Sequence, residues 1–383
     1  MKNFTAASLF VFAGCVGQES HIQWDNCLVL PSSAGMDRNI GVAGAFAGMA
    51  AEKLVVAGGA NFPDGAPWDG GIKAWWSTLW MFDTVSEEWS VREDFLPSPR
   101  GYGFSAQLDD GVLFIGGCDA DNCFSDCVYV TCRDGEPAAS TEAFPPLPVP
   151  SANCAGAVLG GKIYIAGGNE TPSGASTGHF LVLDTGDRAA GWQELPSWPG
   201  PARGYAVCTA QGGRIYLFSG RSYGPDAETV MHTDGYCYDP DSAAWTILSG
   251  SFPFMAGNAV AVDGGRILFL GGVAEILPTG PGHPGFSRDV YSYDTATGEL
   301  GLLGSSPFPI AVTAPVVRTG NTFRTISGEV RPGVRTPNIL KGMLKHGPAS
   351  SPDITHSGHP PATLPDNLSG HPPEHNLSGH PLT

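Results

Sequence analysis

The sequence predicts an all-β protein folded as a six-bladed β-propeller, and three observations support this. The chain of 383 residues contains 53 Gly and 33 Pro but only 15% charged residues, so it lacks the Leu-, Ala-, Glu- and Lys-rich periodic runs of a helical protein. Turn-forming residues recur at short intervals, which indicates many short strands. The third observation is a repeated apolar run, which sets the number of blades.

A short apolar run that ends in two small residues occurs six times. The six runs are KLVVAGG (53–59), GVLFIGG (111–117), KIYIAGG (162–168), RIYLFSG (214–220), RILFLGG (266–272) and TFRTISG (322–328). Their small pairs follow one another at intervals of 51 to 58 residues, close to the roughly 50 residues of a kelch repeat. Each repeat is therefore predicted to form one four-stranded blade of a kelch-type propeller.

Each repeat continues with an alternating strand that contains Asp and aromatic residues, such as DVYSYD (289–294). A tryptophan follows this strand in several repeats, at Trp89, Trp192 and Trp245. The predicted order within a blade is an inner strand, the small-pair strand, the aromatic strand and an outer strand with the tryptophan.

The sixth repeat lacks an outer strand, because the chain after residue 344 has no apolar periodicity. The N-terminal stretch HIQWDNCLVLP (21–31) holds Trp24 and precedes the first inner strand. We predict that this N-terminal strand completes the sixth blade and closes the ring without an open edge. The predicted propeller spans residues 21–345.

Both ends of the chain are predicted to lie outside the propeller. Residues 1–20 have one Lys, a short apolar stretch and small residues, as in an export signal, so a periplasmic protein is expected. The ending FAGC is similar to a lipoprotein signal, in which Cys15 would carry a lipid anchor. Residues 346–383 are rich in Pro, Gly and His, which favours a disordered tail over a metal-binding one.

A formal net charge of −17 argues against a nucleic-acid partner, because binding to a polyanion needs a basic surface. The same charge would repel a small anionic substrate. An anion site must therefore depend on a few arginines placed locally, so each clustered Arg becomes a stronger candidate.

Nine cysteines are many for a protein kept reduced, and export would allow disulfides. Cys118, Cys123, Cys127 and Cys132 share one repeat, but their spacing does not match a zinc-binding CxxC pattern, so no metal site is predicted. A disulfide between Cys118 and Cys123, across one tight loop, is the expected pairing.

Equivalent positions of successive blades meet at one mouth of the central channel, so they supply the candidate site residues. The position directly after the small pair holds Ala60, Cys118, Asn169, Arg221, Val273 and Glu329. Asn169, Arg221 and Glu329 are more polar than a purely structural turn requires. These three are therefore candidate site residues.

Two further positions add candidates for substrate binding. The position before the aromatic strand holds Arg288 and Arg335, and the starts of two inner strands hold Arg100 with Tyr102 and Arg203 with Tyr205. Arginine offers a fork that matches a carboxylate. The alternative for Arg100 and Arg203 is a structural role, in which they hydrogen-bond carbonyl groups between blades.

Glu329 is the candidate general base. It follows an apolar strand, and nearby guanidinium groups would keep its carboxylate ionised and able to accept a proton. The alternative is an exposed ion pair with Arg331, which would contribute little.

Four segments resemble the cyclically permuted mutarotase family, kelch-repeat relatives of N-acetylneuraminate epimerase (sialic acid mutarotase). They are GVAGAFAG, GYGFS, HPGFSRDVYSYD and SGEVRPGVRTPNIL. The similarity runs from residue 21 to about 344. It implies an isomerase that interconverts the α and β anomers of N-acetylneuraminate without cofactor or metal.

The resemblance also implies site roles. Glu329 matches the family's proton acceptor and Arg335 its essential arginine, while Arg288 is a second candidate for the substrate carboxylate. Anomer exchange needs a base for the anomeric hydroxyl and an acid for the ring oxygen; Tyr102, Tyr205 and a water are candidates for the acid.

Two other classes of function remain as alternatives. A kelch propeller also serves as a carbohydrate- or protein-binding module without catalysis, because the fold alone does not set function. A copper radical oxidase on the same fold would need several His and Tyr side chains around one metal, and the His residues outside the tail lie at unrelated repeat positions.

Overall fold

Strands dominate the computed structural model, which describes residues 20–33, 38–225 and 227–346. In this part of the chain there are thirty strands and two short 3-10 helices, Pro67–Asp69 and Arg188–Ala190. In chain order the strands are β1 Ser20–Val29, β2 Phe46–Ala50, β3 Lys53–Ala57, β4 Ala60–Asn61, β5 Ala74–Trp75, β6 Leu79–Asp83, β7 Trp89–Arg92, β8 Phe104–Leu108, β9 Gly111–Ile115, β10 Cys127–Arg133, β11 Glu136–Ser140, β12 Ala155–Leu159, β13 Lys162–Ala166, β14 Phe180–Asp184, β15 Gln193–Glu194, β16 Val207–Gln211, β17 Arg214–Phe218, β18 Arg221–Gly224, β19 Ala227–Met231, β20 Gly235–Asp239, β21 Ala244–Leu248, β22 Asn258–Val262, β23 Arg266–Leu270, β24 Asp289–Asp294, β25 Leu300–Ser305, β26 Val316–Thr319, β27 Thr322–Ile326, β28 Glu329–Arg331, β29 Val334–Arg335 and β30 Asn338–His346.

Six antiparallel four-stranded sheets form the six blades. Their strand orders are β2-β3-β6-β7, β8-β9-β10-β11, β12-β13-β14-β15, β16-β17-β20-β21, β22-β23-β24-β25 and β26-β27-β30-β1. Each blade runs from an inner strand through the small-pair strand and the aromatic strand to an outer strand. The predicted six-bladed propeller and its strand order within a blade are confirmed.

The N-terminal strand completes the sixth blade, as predicted. β1 pairs with β30 in antiparallel register, with Trp24 opposite Gly342. The Trp24 ring packs edge-on against Phe323, with the ring centroids 5.8 Å apart. Gly342 makes room for this packing, because a Cβ at that position would overlap the Phe323 ring. The two ends of the propeller thus close the ring through one sheet.

The hydrophobic core lies between the blades. Six apolar clusters each join neighbouring blades; in the one between the fifth and sixth blades, Val260 and Leu268 pack with Phe323 and Leu340. Both faces of the middle strands are therefore covered, and β9 is buried at all five positions. This explains why the small-pair strands read as continuous apolar runs and not as alternating patterns.

Three blades carry an extra two-stranded hairpin between their second and third strands. These hairpins are β4-β5 in the first blade, β18-β19 in the fourth and β28-β29 in the sixth. They lie at the end of the propeller where the small pairs are, and they bring most of the charged side chains to the channel mouth.

The predicted export signal, with Cys15, and the His-rich tail lie outside the described residues, apart from Ser20 and His346, which belong to β1 and β30. No helix within the described ranges is long and apolar enough to cross a membrane.

Candidate active site

The six residues after the small pairs occupy equivalent places in the structure. Each forms an isolated antiparallel bridge with a residue that leads into the inner strand of its own blade. The bridges are Ala43–Ala60, Gly101–Cys118, Ala152–Asn169, Gly204–Arg221, Met255–Val273 and Val312–Glu329. Asn169, Arg221 and Glu329 therefore do share one ring of positions around the channel.

A closed ring of backbone hydrogen bonds encircles the channel at this level. Its members, which we call the amide ring, are Gly44, Tyr102, Asn153, Tyr205, Ala256 and Thr313. Each donates its N–H to the carbonyl of the member in the preceding blade, at N···O distances of 2.6 to 2.9 Å, and Gly44 donates to Thr313 to close the circle. All six have left-handed backbone angles, with φ between 48 and 67°.

Left-handed angles are uncommon for residues other than Gly and are unfavourable for a β-branched residue such as Thr313. Such strain persists only where the surrounding structure enforces it, and it clusters at functional sites. Here the amide ring enforces the left-handed conformation. The same hydrogen bonds fix the positions from which the side chains of Tyr102, Asn153 and Tyr205 extend.

A channel cavity of about 180 Å³ adjoins the amide ring. Its walls include the ring members and the small residues that follow them directly before the inner strands, such as Ala45, Gly103, Cys154 and Ala206. Small side chains at these positions keep the channel open.

Glu329 and Arg335 face each other across the β28-β29 hairpin. The hairpin turns at Pro332–Gly333, and Gly333 has φ of 80°, as the second residue of a type II turn requires. A Cβ at Gly333 would also crowd Pro67 of the first blade. The Pro-Gly pair thus makes the tight turn that brings the carboxylate and the guanidinium together.

The Glu329–Arg335 pair is largely buried, with side chains 19% and 4% exposed, and Arg335 Nη1 lies 2.8 Å from Glu329 Oε1. The same oxygen accepts a hydrogen bond of 2.9 Å from the Gly333 N–H. Nη1 is not aligned for a hydrogen bond, so the contact with Glu329 is an ion pair. A buried charge pair of this kind is stable only while both partners are present.

Arg335 is held on its other sides by the first and second blades. Its guanidinium lies 4.7 Å from the centre of the Phe62 ring. Nε donates to the Ala60 carbonyl at 3.4 Å, and Nη2 donates to the Tyr102 hydroxyl at 3.5 Å. The Arg335 guanidinium therefore connects the sixth blade, which holds Glu329, to the first and second blades.

Lys73 is a further charged residue at this side of the mouth, and sequence reasoning missed it. Its Nζ lies 4.3 Å from the ring centres of both Trp75 and Tyr102. Burial, with a smaller contribution from the positive charge of Arg335, lowers the pKa of Lys73 from 10.5 to about 8. The ammonium group is therefore a weak acid in the range where enzymes use general acids.

Tyr102 lies between these charges. Burial is the main reason that its pKa is raised to about 12, and the nearby Arg335 opposes that shift. Its ring also meets Trp75 edge-on, with the centroids 5.5 Å apart. The Tyr102 hydroxyl therefore stays protonated at neutral pH and can act as a hydrogen-bond donor.

A second polar group forms the opposite side of the mouth, from the third and fourth blades. The Asn169 side-chain oxygen accepts hydrogen bonds from Asn153 Nδ2, at 2.8 Å, and from the Tyr223 hydroxyl. The Arg221 guanidinium lies 4.3 Å from the Tyr205 ring centre and 5.0 Å from that of Tyr223. The predicted residues Asn169, Arg221 and Tyr205 are therefore brought together.

The expected disulfide between Cys118 and Cys123 is absent, and this prediction was wrong. All seven cysteines in the described ranges, other than Cys27, are free thiols. Cys118 and Cys123 oppose each other in an isolated bridge, as expected for a tight loop. The neighbouring Cys123 thiol and burial raise the pKa of Cys118, and the neighbouring Cys118 thiol lowers the pKa of Cys123.

Arg100 and Arg203 do not join either group at the mouth, because both guanidinium groups have partners elsewhere. Arg100 lies 2.8 Å from Asp126 in an ion pair, with its side chain 4% exposed. Arg203 is fully buried and donates to both oxygens of Asp234 and to the Ser219 carbonyl at 2.9 Å. Arg203 thus hydrogen-bonds a carbonyl group, as the structural alternative supposed, whereas Arg100 binds a carboxylate and its Nε has no hydrogen-bond partner in the described part of the chain.

Arg288 makes no ion pair with Glu329 and is not equivalent to Arg335. Val290 pairs with Leu270 and Ile339 with Ile326, so these are matching positions of the two third strands. Arg288 precedes its match by two residues and Arg335 by four. Arg288 is exposed and donates to the Pro307 carbonyl at 3.4 Å. The equivalence inferred from sequence was wrong, because the two loops differ in length and only the sixth-blade loop forms a hairpin, β28-β29.

Arg331 does not pair with Glu329, so the predicted alternative for Glu329 is not found. Arg331 Nη1 donates to the Pro281 carbonyl at 2.9 Å, and its guanidinium lies 5.7 Å from the Trp68 ring centre. It joins the hairpin to loops of the fifth and first blades.

Asn153 and Tyr223 were also missed by sequence reasoning. Aligning the starts of the inner strands, SAN (151–153) with RGY (100–102) and RGY (203–205), would have placed Asn153 beside Tyr102 and Tyr205. No such signal existed for Lys73 or Tyr223, because both lie in loop segments that differ between repeats. Within the described residues, no group of three or more His, Cys, Asp or Glu side chains is placed to hold a metal ion.

The fold and the mouth define the class of this protein: a six-bladed kelch-type propeller with a largely buried Glu329–Arg335 pair at its channel mouth. A family model for N-acetylneuraminate epimerase matches residues 11–137 and 144–279. The chain belongs to the N-acetylneuraminate epimerase family.

Individual relatives of this chain are named N-acetylneuraminate epimerase. The chain is 28% identical over 273 residues to an N-acetylneuraminate epimerase of Brucella melitensis, covering 63% of this chain and 67% of the relative. It is 26% identical over 239 residues to one of Yersinia pestis, covering 55% and 59%, and 26% identical over 233 residues to one of Haemophilus influenzae, covering 54% and 60%. The chain thus spans about three fifths to two thirds of their lengths. The family match ends at residue 279, before Glu329 and Arg335.

Proposed function

We propose that this protein interconverts the α and β anomers of N-acetylneuraminate by opening and closing the sugar ring. Membership of the epimerase family supports the substrate class. The observation that carries the chemistry is the buried Glu329–Arg335 pair at the channel mouth, 2.8 Å apart, with Lys73 and Tyr102 beside it. The site thus combines a carboxylate base with two proton donors.

Glu329 is the proposed base for ring opening. Its carboxylate removes the proton from the anomeric hydroxyl; the electron pair of that O–H bond forms the ketone, and the bond from the anomeric carbon to the ring oxygen breaks. Arg335 and the Gly333 N–H orient the carboxylate. A positioned base of this kind contributes on the order of 10²–10⁴-fold.

Lys73 is the proposed acid that gives its proton to the ring oxygen as the bond breaks. A pKa of about 8 leaves the ammonium protonated at neutral pH but ready to lose a proton. Tyr102, with a pKa of about 12, is a weaker acid and serves better as a hydrogen-bond donor. Rotation about the bond next to the ketone then presents its other face, and the reverse proton transfers close the ring as the other anomer.

The test is anomer exchange measured by NMR on N-acetylneuraminate with wild-type protein, Glu329→Gln and Glu170→Gln. Glu170 is a matched control, because it is an exposed carboxylate near the mouth that contacts His179 at 3.3 Å. We expect Glu329→Gln to lose about 10²-fold or more of the enzymatic rate and Glu170→Gln to keep it. Full exchange activity in Glu329→Gln contradicts the assignment of the base.

A non-catalytic carbohydrate-binding module is the second candidate, favoured by the aromatic rings of Trp75, Tyr102, Tyr205 and Tyr223 around the mouth. Sugars pack well on such surfaces. Wild-type protein that binds the sugar but leaves its exchange rate at the uncatalysed value would identify this function.

We further propose that the protein is exported through its N-terminal segment and anchored at Cys15. The support is the sequence pattern of residues 1–20. Fractionation of cells that express the full chain tests this, with Cys15→Ala expected to move the protein from the membrane to the soluble exported fraction. Recovery of wild-type protein inside the cell contradicts export.

A further inference from the structure

The sugar proposed as substrate carries a carboxylate on its anomeric carbon, and a protein with a net charge of −17 needs a local cation to bind it. Arg335 was the predicted partner. However, its guanidinium is 4% exposed and already faces Glu329 at 2.8 Å. A substrate carboxylate at the same nitrogen would have to displace the base on which the reaction depends.

Arg221 differs from Arg335 in having no carboxylate partner. Within the described chain it forms no ion pair, and its Nε is buried without a hydrogen-bond acceptor. The guanidinium instead lies against the rings of Tyr205 and Tyr223, at 4.3 and 5.0 Å. Arginine held by aromatic faces keeps its fork of N–H donors available for a planar anion.

The neighbours of Arg221 extend this site with polar groups that can contact a sugar. The Asn153 side-chain oxygen is buried and has no hydrogen-bond donor. Burial raises the pKa of Tyr205 to about 12, so its hydroxyl remains protonated. A buried acceptor without a partner is costly unless a ligand or water satisfies it, and sugar hydroxyl and amide groups are suitable donors.

Arg221 and Glu329 belong to the same channel mouth. They occupy the same ring position, in the fourth and sixth blades. A sugar bound at this mouth therefore lies within a ring of positions that includes both residues.

We propose that Arg221, supported by Tyr205 and Tyr223, binds the carboxylate of the substrate, while Arg335 positions Glu329. This proposal rests on the proposed substrate, but it concerns binding, so it can be tested without turnover. It assigns the two arginines to separate tasks on opposite sides of the channel.

The experiment compares the affinity of N-acetylneuraminate with that of its uncharged methyl ester, measured by titration calorimetry on wild type, Arg221→Met, Arg221→Lys and Arg335→Lys. We expect wild type to prefer the acid by tenfold or more, since charge-assisted hydrogen bonds to carboxylates are strong. Arg221→Met should bind both sugars about equally, and Arg221→Lys should recover part of the preference. Arg335→Lys should keep it.

Binding of the ester by Arg221→Met at close to wild-type affinity shows that the site is still folded. An unchanged preference in Arg221→Met, or its loss in Arg335→Lys alone, overturns the proposal while leaving the mutarotase function intact. Wild-type protein that binds neither sugar overturns the proposed substrate and this inference with it.

Discussion

Arg335 Nη1 lies 2.8 Å from Glu329 Oε1 across a hairpin that turns in two residues. The closeness of these two side chains is a local property of the sequence, since Pro332 and Gly333 fix the turn between them. Its burial is not local, because Phe62 and Tyr102 of the first and second blades cover Arg335. The contact between the two side chains therefore depends on the local turn, whereas their burial depends on the tertiary fold.

Replacing Arg335 with Met should reduce anomer exchange by about 10²-fold or more, because the buried Glu329 carboxylate loses its countercharge and becomes a poorly positioned base. Arg331→Met is the matched control, since Arg331 belongs to the same hairpin but donates to the Pro281 carbonyl. We expect Arg331→Met to stay within a few-fold of wild type in the NMR exchange assay. Equal losses in both variants would show that the hairpin, and not the ion pair, matters.

The rate of anomer exchange should fall as the pH rises through about 8. Lys73 has a pKa of about 8, and the proposed acid is lost when the ammonium group deprotonates. Lys73→Arg should move this fall out of the accessible range, because arginine stays charged, and Lys162→Met should leave it in place. A pH profile identical in wild type and Lys73→Arg rules out Lys73 as the titrating group.

Lys73 should also lower the stability of the protein at neutral pH. Its pKa falls from 10.5 to about 8 on folding, so the folded state disfavours the charged ammonium group. The resulting loss of folding stability is fully present below pH 8 and disappears as the pH rises to 10.5. Lys73→Met should therefore raise the urea midpoint at pH 7, and the gain should shrink by pH 10.5. A gain that does not change with pH points to packing instead.

Arg203→Met should destabilise the propeller by about 3 kcal/mol, because it removes the countercharge of Asp234 and the donor to the Ser219 carbonyl. Arg214→Met removes an exposed pair with Asp239 and should cost less than about 1 kcal/mol. Urea unfolding measures both. If Arg203→Met unfolds like wild type but fails to bind sugar, the predicted substrate-binding role of Arg203 stands.

Gly342→Ala should destabilise the closure of the ring by about 1–3 kcal/mol, because the added Cβ overlaps Phe323 and forces the packing with Trp24 apart. Gly301→Ala, in the outer strand of the fifth blade, adds a Cβ that meets nothing within 4 Å and should be close to neutral. Thermal unfolding compares the two. Similar melting temperatures would mean that the β1-β30 contact adjusts without cost.

The fold was predictable in detail because the same sequence pattern occurs in every blade. Six copies of one apolar run predict six blades, and a single missing outer strand predicts the closure by β1. The site was predictable only in part. Glu329, Asn169 and Arg221 follow from position in the repeat, whereas Lys73 and Tyr223 lie in segments whose sequences differ from blade to blade.

The sequence by itself determined the number of blades, the order of their strands and the closure of the ring, because short-range patterns repeated in each blade encode them. Only the tertiary structure decided which charged side chains reach the channel. Arg100 and Arg203 look like site residues but are buried between blades, while Lys73 arrives from a long loop and Arg221 is left without a carboxylate. The direction of a long side chain depends on neighbours from other blades, and these come together only when the ring closes.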